Sequence, residues 1–374
     1  MTVTIDVLHA VTTADLVAAV RAARRAGLPL AVRGAGHGQL RPIDGRMVVD
    51  TGHLTDVQIF SGKRVASVGP GARWGDVMAA AAPHGLAPLC GNSPDVGVFG
   101  FTLGGGVGWL SREFGYTADN LTRIEVVLAD GTVVTATHDT EPELFWGLRG
   151  AGANLGLATR MEVRLAPVAT VVAGEVGYRW EHAAEVLGAF ARQEPPDHLT
   201  AMVVLDRGEV TVQAVSTGDP RTAREALDAV LPDSVAPIRD TFAPQPVQEG
   251  LTLGGTFPGG FELLDRIHPD EILALAGARV EVRRWGGAPA RQDGAGGPVG
   301  HRHVPFSVTV DGPPDVVARA AALGTGGSFL NFLRDTARTQ TAYTAGDWTR
   351  LRRLKAAVDP DNIFGSAHNI PPAV

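Results

Sequence analysis

Three glycine-rich segments lie in the first part of the chain, at residues 33–38, 97–108 and 150–156. Glycine lets backbone N–H groups approach a polyanion closely and adopt positive φ angles, so such segments can bind a pyrophosphate group. One such segment alone is more typical of an ordinary turn. The chain has neither a P-loop lysine motif nor a strand-linked G-x-G-x-x-G with a ribose-binding acid at the usual offset. A nucleotide, if one binds, is therefore held by a different arrangement.

Four blocks of sequence occur in order along the chain: RGAGH at 33–37, SPDVGVFG and TLGGGVG between 93 and 108, ELFW and RGAGANLG between 143 and 156, and DPDNIF with NIPP between 359 and 372. Together they resemble the pyrophosphate loop, the second and third flavin loops and the C-terminal signature of the berberine-bridge-like enzymes, in the vanillyl-alcohol-oxidase superfamily. Arg112, Gly115, Asp119 and Asn120 continue the second block.

This resemblance implies an FAD cofactor held by the glycine-rich segments. The residues expected to bind it are Arg33, Gly34, Ala35, Gly36, His37, Gly38, Ser93, Pro94, Val96, Gly97, Gly100, Phe101, Thr102, Gly104, Gly105, Gly108, Asn154, Gly156, Leu157, Asn331 and Asn369. In the family, the histidine at the position of His37 is linked covalently to the flavin C8 methyl group. That chemistry needs a neutral imidazole nitrogen against an electrophilic methyl carbon. The alternative is a histidine that only hydrogen-bonds within its turn.

Three departures from the family pattern affect the flavin. Many members carry a second thioether link through a cysteine directly before the proline of the second loop, but Ser93 has that place and Cys90 lies three residues earlier. We therefore expect one covalent link and a buried, unreactive Cys90. Phe101 replaces a histidine that several plant members carry near the flavin. Val96 falls near the position associated with oxygen access, and a valine there favours an oxidase.

The candidate catalytic residues are Glu281, Arg283, His301 and Tyr343. Strand alternation over 280–285 predicts that Glu281, Arg283 and Trp285 share one face. Each of the four could act as a base or anchor a substrate, and the alternative for each is a solvated or structurally paired side chain. The histidines at 301 and 303 have no third ligand at a suitable spacing, so no metal site is expected.

The pattern of elements predicts an α+β fold. Short strands and helices alternate through the first 165 residues, and Asp130-Gly131 predicts a β-hairpin. The resemblance implies a two-subdomain PCMH-type FAD-binding domain over 1–167 and a C-terminal berberine-bridge-like segment over 326–374 that returns to it. Between them, alternating segments over 168–325 predict a substrate domain with an antiparallel sheet covered by helices.

Composition limits the remaining possibilities. The chain has 374 residues, a formal net charge of −7 and one cysteine, so we expect no nucleic-acid partner and no intrachain disulfide. No secretory signal and no apolar stretch of about 20 residues is evident. A bacterial, cytoplasmic protein without a membrane partner is the expectation.

The predicted reaction is oxidation of a C–H bond next to a hydroxyl or amine of a small organic molecule. Molecular oxygen is the expected electron acceptor. Three alternatives remain: a dehydrogenase that uses a carrier, a non-redox flavin-holding cyclase or scaffold, and a simple nucleotide-binding module.

Overall fold

The computed structural model describes residues 7–36, 45–255, 259–291, 296–365 and 367–374. A small parallel sheet in the order β1-β3-β2 comes first in the chain. Its elements are β1 (Val7–His9), α1 (Thr13–Ala26), β2 (Leu30–Arg33) and β3 (Met47–Asp50). Thr12 caps α1 in a capping box with Asp15, and Gly27 ends it in the left-handed conformation at φ 63°, as the sequence signals for helix ends require. Because β2 ends at Arg33, the first glycine-rich segment follows directly from a fixed strand.

A five-stranded antiparallel sheet in the order β4-β5-β8-β6-β7 forms the second layer. Its strands are β4 (Val57–Phe60), β5 (Val65–Val68), β6 (Leu121–Val127), β7 (Val133–Ala136) and β8 (Leu157–Arg164). The helices of this region are α2 (Trp74–Ala81), α3 (Val98–Leu103), α4 (Ser111–Phe114) and α5 (Pro142–Leu148). The predicted hairpin is confirmed: β6 pairs with β7, and Gly131 in the turn has φ 84°.

An eight-stranded antiparallel sheet makes up the next part of the chain, in the order β12-β9-β11-β10-β15-β16-β14, with β13 also paired to β9. Its strands are β9 (Thr170–Arg179), β10 (Leu199–Asp206), β11 (Glu209–Ser216), β12 (Arg239–Asp240), β13 (Ala243–Pro246), β14 (Gly260–Leu264), β15 (Arg279–Arg284) and β16 (Phe306–Asp311). Its helices are α6 (Ala183–Arg192), α7 (Pro220–Asp228), α8 (Val247–Gly250), α9 (Pro269–Leu273) and α10 (Pro314–Ala321). The predicted boundary at 167/168 lies in the linker between β8 and β9.

The two faces of this sheet have different neighbours. Val280 and Val282 of β15 join a core with residues of α6, α7, α9 and α10. Met202 and Val204 of β10 instead join the core of the first domain. Since β10 pairs Met202 with Arg283 and Val204 with Glu281, Glu281 and Arg283 lie on the face that meets the first domain.

The chain ends with α11 (Ala345–Val358), which returns to the first domain. A Cβ atom added at Gly147 of α5 would lie 2.6 Å from the side chain of Leu354, so the two helices approach too closely there for a larger residue. At the end of α11, Lys355 and Asp359 form a fully buried ion pair at 2.5 Å. Asp359 also accepts hydrogen bonds from the backbone N–H groups of Ile363 and Phe364. The fold is therefore α+β with two domains, and the C-terminal segment after the second domain packs back onto the first. No helix among the described residues is both long and apolar enough to cross a membrane.

Candidate active site

The first glycine-rich segment is fixed on one side and open on the other. The guanidinium of Arg33 donates to Asp50, with an Nη2–Oδ2 distance of 2.6 Å, and the carbonyl of Arg33 accepts from the backbone N–H of Thr51. Partial burial raises the pKa of Asp50, but the hydrogen bonds from Arg33 and from the backbone N–H of Gly52, with the charge of Arg33, together hold this pKa below its ordinary value. A Cβ atom at Gly34 would lie 3.3 Å from the carbonyl oxygen of Pro70. Gly36, at φ 77°, has no atom of the described residues within 4 Å of that position, its chain neighbours aside. His37 and Gly38 lie outside the described residues.

The second segment packs against the first. A Cβ atom at Gly97 would lie 3.0 Å from the Cβ of Ala35, so the two segments touch where glycine allows it. Gly97 caps the short helix α3, whose first amide groups have no acceptor within the helix. Gly100, in that first turn, has nothing within 4 Å of a Cβ position. The backbones of Gly36 and Gly100 thus leave room for a polyanion, as a dinucleotide cofactor requires.

Asn331 holds the far end of the second segment. Its Oδ1 accepts from the backbone N–H of Gly106 at 2.8 Å, and its Nδ2 donates to the carbonyl of Phe101 at 3.2 Å. A Cβ atom at Gly104 would lie 2.3 Å from Nδ2, so this approach requires glycine. Asn331 therefore contacts the backbone of the second glycine-rich segment, and its contact with the cofactor stays a prediction.

Asn154 connects the third segment to the C-terminal segment. Its Nδ2 donates to the carbonyls of Ala151 and His368, and its Oδ1 accepts from the backbone N–H of Ile370. Lys355 donates to the carbonyl of Asn154 at 2.7 Å. Asn154, which was expected to bind FAD, is therefore fully buried, and its side-chain amide is hydrogen-bonded within the protein. Nearby, the Oδ1 of Asn369 is buried without a hydrogen-bond partner among the described residues, so it can accept from a bound ligand.

The other predicted flavin residues of the second and third segments are largely packed into the protein. The carbonyls of Pro94 and Val96 accept from the backbone N–H groups that begin α2, and the Thr102 hydroxyl donates to the carbonyl of Val98. Gly105 lies against the ring of Phe329, Gly108 against the carbonyl of Cys90, and Gly156 against β6. Ser93 is partly buried, while Leu157 is buried in a core with α1.

Phe101 and Cys90 both point into the first domain. The ring of Phe101 meets Trp74 edge-on, with ring centroids 5.6 Å apart, and fills the space beside Gly91 and Gly106. Cys90 is 1% exposed within the hydrophobic core, and burial raises the pKa of its thiol to about 12. The thiol is therefore protonated at neutral pH and is a poor nucleophile.

Glu281 and Arg283 form an ion pair on the sheet face that meets the first domain. The distance from Arg283 Nη2 to Glu281 Oε1 is 3.1 Å, and the side chains are 14% and 8% exposed, respectively. Ser307 and Thr309 of β16 lie beside them in register. On the same face, Gln213 donates to Glu175 at 2.7 Å. Met202 and Val204 of β10 lie between these two polar pairs.

Arg112 links this sheet to the second glycine-rich segment. Its guanidinium is buried and donates to the carbonyls of Leu199, Pro195 and Trp285. Burial lowers the pKa of Arg112 from its ordinary value. Because three backbone carbonyls fix one guanidinium, the segment that continues from Gly108 is held at a set position relative to β10 and β15.

An aromatic cluster and a second ion pair complete this junction. The ring of Trp285 lies 5.1 Å from that of Phe329 and 6.0 Å from that of Tyr116. Arg302 pairs with the buried Asp119 at 2.7 Å and stacks over Tyr116. Nothing in the local sequence around Phe329 or Arg302 indicates a partner about 200 residues away.

The other two catalytic candidates lie elsewhere. The hydroxyl of Tyr343 donates to the carbonyl of Gly150 at 3.1 Å, and its ring stacks on Trp348. Burial raises the pKa of Tyr343 well above its usual value. The ring of His301 lies 2.8 Å from the carbonyl of Thr341, and Gly327 packs directly against it. Of the four candidates, only Glu281 and Arg283 lie together on the sheet face, and the catalytic role of each stays a prediction.

Comparisons with known proteins agree with this arrangement. Residues 6–137 match the family described as FAD binding domain, and residues 328–371 match the family described as Berberine and berberine like. The chain is 39% identical over 153 residues to (R)-6-hydroxynicotine oxidase of Paenarthrobacter nicotinovorans, an alignment that covers 40% of the chain and 33% of that protein. It is 24% identical to the FAD-linked oxidoreductase YgaK of Bacillus subtilis over 96% of the chain and 89% of that protein.

Solved structures share the whole fold. The 6-hydroxy-D-nicotine oxidase of Arthrobacter nicotinovorans superposes with a TM-score of 0.83 at 25% identity, over 98% of the chain and 91% of that structure. The xylooligosaccharide oxidase of Myceliophthora thermophila gives a TM-score of 0.86 at 23% identity, over 98% and 92%. The chain thus carries an FAD binding domain and a berberine-like C-terminal segment within an α+β fold. In sequence and fold it is similar to the berberine-bridge-like FAD-linked oxidoreductases of the vanillyl-alcohol-oxidase family.

Proposed function

We propose that the chain is an oxidase that removes hydride from a C–H bond next to a hydroxyl or amine of a small organic molecule. The observation that carries this proposal is the polar pair Glu281–Arg283 on the sheet face that meets the first domain, which holds the glycine-rich segments. When bound, FAD supplies the hydride acceptor. The named functions of two relatives, an oxidase of 6-hydroxynicotine and an oxidase of xylooligosaccharides, support small-molecule oxidation.

In this proposal Glu281 takes the proton that the substrate hydroxyl or amine releases. Arg283 engages Oε1 of Glu281, which orients the carboxylate and leaves Oε2 to face the substrate. Ser307 and Thr309 lie in register beside the pair and add hydroxyl groups that can anchor a polar substrate. The surrounding apolar residues exclude water, and this strengthens the hydrogen bonds between the pair and the substrate.

We further propose that His37 holds the flavin covalently and that Cys90 does not. The support for His37 is its place at the end of the first glycine-rich segment, directly after the open backbone of Gly36. The support against Cys90 is its burial and raised pKa. The acceptor is proposed to be molecular oxygen, on the basis of Val96, with a carrier-dependent dehydrogenase as the alternative.

Acid precipitation of the purified protein tests the covalent link. We expect the yellow colour to stay with the precipitate and the intact mass to exceed the apoprotein mass by one FAD. Peptide mapping should find one flavinylated peptide, containing His37. His37→Ala should lose the attachment, whereas Cys90→Ser should keep it. Flavin released into the supernatant by the wild-type protein would refute attachment while leaving FAD binding intact, and a flavinylated peptide containing Cys90 would refute the single link.

Stopped-flow mixing separates the two acceptors. After anaerobic reduction by a substrate, an oxidase regains its yellow colour quickly when air-saturated buffer is added. A dehydrogenase stays bleached until an artificial electron carrier is supplied. Slow reoxidation by air with fast reoxidation by the carrier would therefore exclude the oxidase.

A further inference from the structure

A cavity of about 310 Å³ lies on the first domain, at the linker to the eight-stranded sheet. It is lined by residues of the β4–β5 turn, by the end of β8 and by the segments around Leu89 and Phe114. None of its lining residues belongs to the eight-stranded sheet or to the glycine-rich segments. The cavity is therefore separate from the candidate active site, and its volume is in the range that small ligands occupy.

Three cations converge at the rim of this cavity. Lys63 and Arg64 come from the β4–β5 turn, and Arg164 comes from the last position of β8. Arg164 stands in register with Val65, so the two arginines are near neighbours across the strands. No hydrogen bond or ion pair joins the side chain of any of the three to a residue in the described ranges. Like charges gathered in this way repel each other unless an anion lies between them.

The carboxylates near the cavity are already engaged. Glu162, two residues before Arg164 on β8, pairs with Arg123 at 3.6 Å. Glu113, next to Phe114, accepts a hydrogen bond from Thr217. No acidic residue is among those that line the cavity. In a protein of net charge −7, this leaves a local concentration of positive charge that the protein itself does not neutralise.

The backbone at the rim is fixed by its turn. Arg64 has φ 53° and ψ 50°, the left-handed conformation, and ends the 3-10 turn over Ser61–Lys63. Its carbonyl accepts from the backbone N–H of Leu165 at 2.8 Å, which ties the turn to the linker.

The walls of the cavity are apolar. Leu89 and Leu165 are buried side chains of the wall, while Phe114 is partly buried. The Nδ2 of Asn120, also in the wall, already donates to the carbonyls of Phe114 and Tyr116. The cavity therefore offers positive charge at its rim and hydrophobic contact inside.

From these observations we propose that the cavity formed by Lys63, Arg64, Arg164 and their apolar neighbours binds a small organic anion with a hydrophobic body. An aromatic carboxylate has this chemistry, since its carboxylate meets the cations while its ring enters the apolar cavity. The site is independent of the proposed oxidase reaction.

Isothermal titration calorimetry of the holoprotein with 2-naphthoate tests the proposal. We expect binding that weakens with added salt, because the cations are exposed and screened. The neutral 2-naphthylmethanol should bind at least about tenfold more weakly, because three exposed charge contacts together contribute roughly this factor.

Two triple variants with the same change in net charge locate the site. Lys63→Gln/Arg64→Gln/Arg164→Gln should weaken 2-naphthoate binding by about tenfold or more. Arg25→Gln/Arg192→Gln/Arg353→Gln removes three exposed arginines on α1, α6 and α11 and should leave the affinity unchanged within about twofold. Circular dichroism of both variants verifies that they fold. Equal affinity of the cavity variant and the wild type, or the absence of binding by the wild type at millimolar ligand, would overturn the proposal.

Discussion

At the scale of single residues, two buried glutamates show how position decides the use of the same chemistry. Counted over the whole residue, Glu281 and Glu262 are each 6% exposed, and they pair with Arg283 and Arg338, respectively. A carboxylate buried to this degree needs such a partner, since an unpaired buried charge is strongly destabilising. Their register differs, however. Glu262 stands opposite Val308, which belongs to the helix-covered core, whereas Glu281 lies on the sheet face that meets the first domain.

Glu281→Gln tests the proposed base. We expect the rate of flavin reduction to fall by about 10²- to 10⁴-fold, because the amide cannot accept the substrate proton. Flavin content should stay the same, because the hydrogen bond of the Glu281 side chain among the described residues goes to Arg283 and not to a glycine-rich segment. The rate is measured by stopped-flow bleaching with a substrate found by screening amines, alcohols and sugars against the wild type. Glu262→Gln is the matched control and should reduce flavin normally, and equal rates in both variants would rule out Glu281 as the base.

At the scale of elements, the C-terminal segment stabilises two of the glycine-rich segments by hydrogen bonds. Asn331 engages the second segment, and Ile370 together with His368 engages the third through Asn154. The buried Lys355–Asp359 pair fixes the turn after α11 that brings the chain back. Glycine-rich backbone has few side chains to hold it, so its conformation depends on such external partners. The end of the chain therefore shapes a site that lies in its first half.

Asn331→Ala tests how much the hydrogen bond to Gly106 contributes to stability. The variant leaves the N–H of Gly106 without its acceptor, and we expect the free energy of unfolding to fall by about 1–3 kcal/mol. Asn331→Asp retains an acceptor for Gly106 but sets a carboxylate oxygen against the carbonyl of Phe101, so it should also be less stable than the wild type. Urea denaturation followed by circular dichroism gives both values. Wild-type stability of Asn331→Ala would show that the Gly106 contact is not the important one.

At the scale of the whole molecule, the three tyrosines of the chain report on three different packing regions. Tyr116 lies in the aromatic cluster between the domains, Tyr178 lies in the sheet, and Tyr343 lies under α11. Burial raises the pKa of each, to about 12 for Tyr178 and well above the usual value for the other two. Folding thus keeps all three phenols protonated at a pH where the unfolded chain would ionise them.

Alkaline titration tests this prediction. Above pH 10 the unfolded chain releases tyrosine protons while the folded chain retains them. The free energy of unfolding should therefore fall, by up to about 1.4 kcal/mol per pH unit for each tyrosine. Ultraviolet absorbance at about pH 11 should show little phenolate in the folded protein and nearly three phenolates in urea. Tyr343→Phe should remove one of the three, whereas a phenolate signal from the folded wild type near pH 10 would contradict the burial of these groups.

What the sequence by itself determined is local. The hairpin at Asp130-Gly131 and the shared face of Glu281 and Arg283 follow from backbone preferences and strand alternation, which a few neighbouring residues specify. The glycine-rich segments and their order likewise indicated FAD through resemblance. Only the tertiary structure decided that the polar groups of Tyr343 and His301 hydrogen-bond to backbone carbonyls. It also decided that Lys63, Arg64 and Arg164 lie at one cavity. These outcomes depend on contacts between residues distant along the chain, and spacing in a sequence carries no information on which of many distant partners packing will bring together.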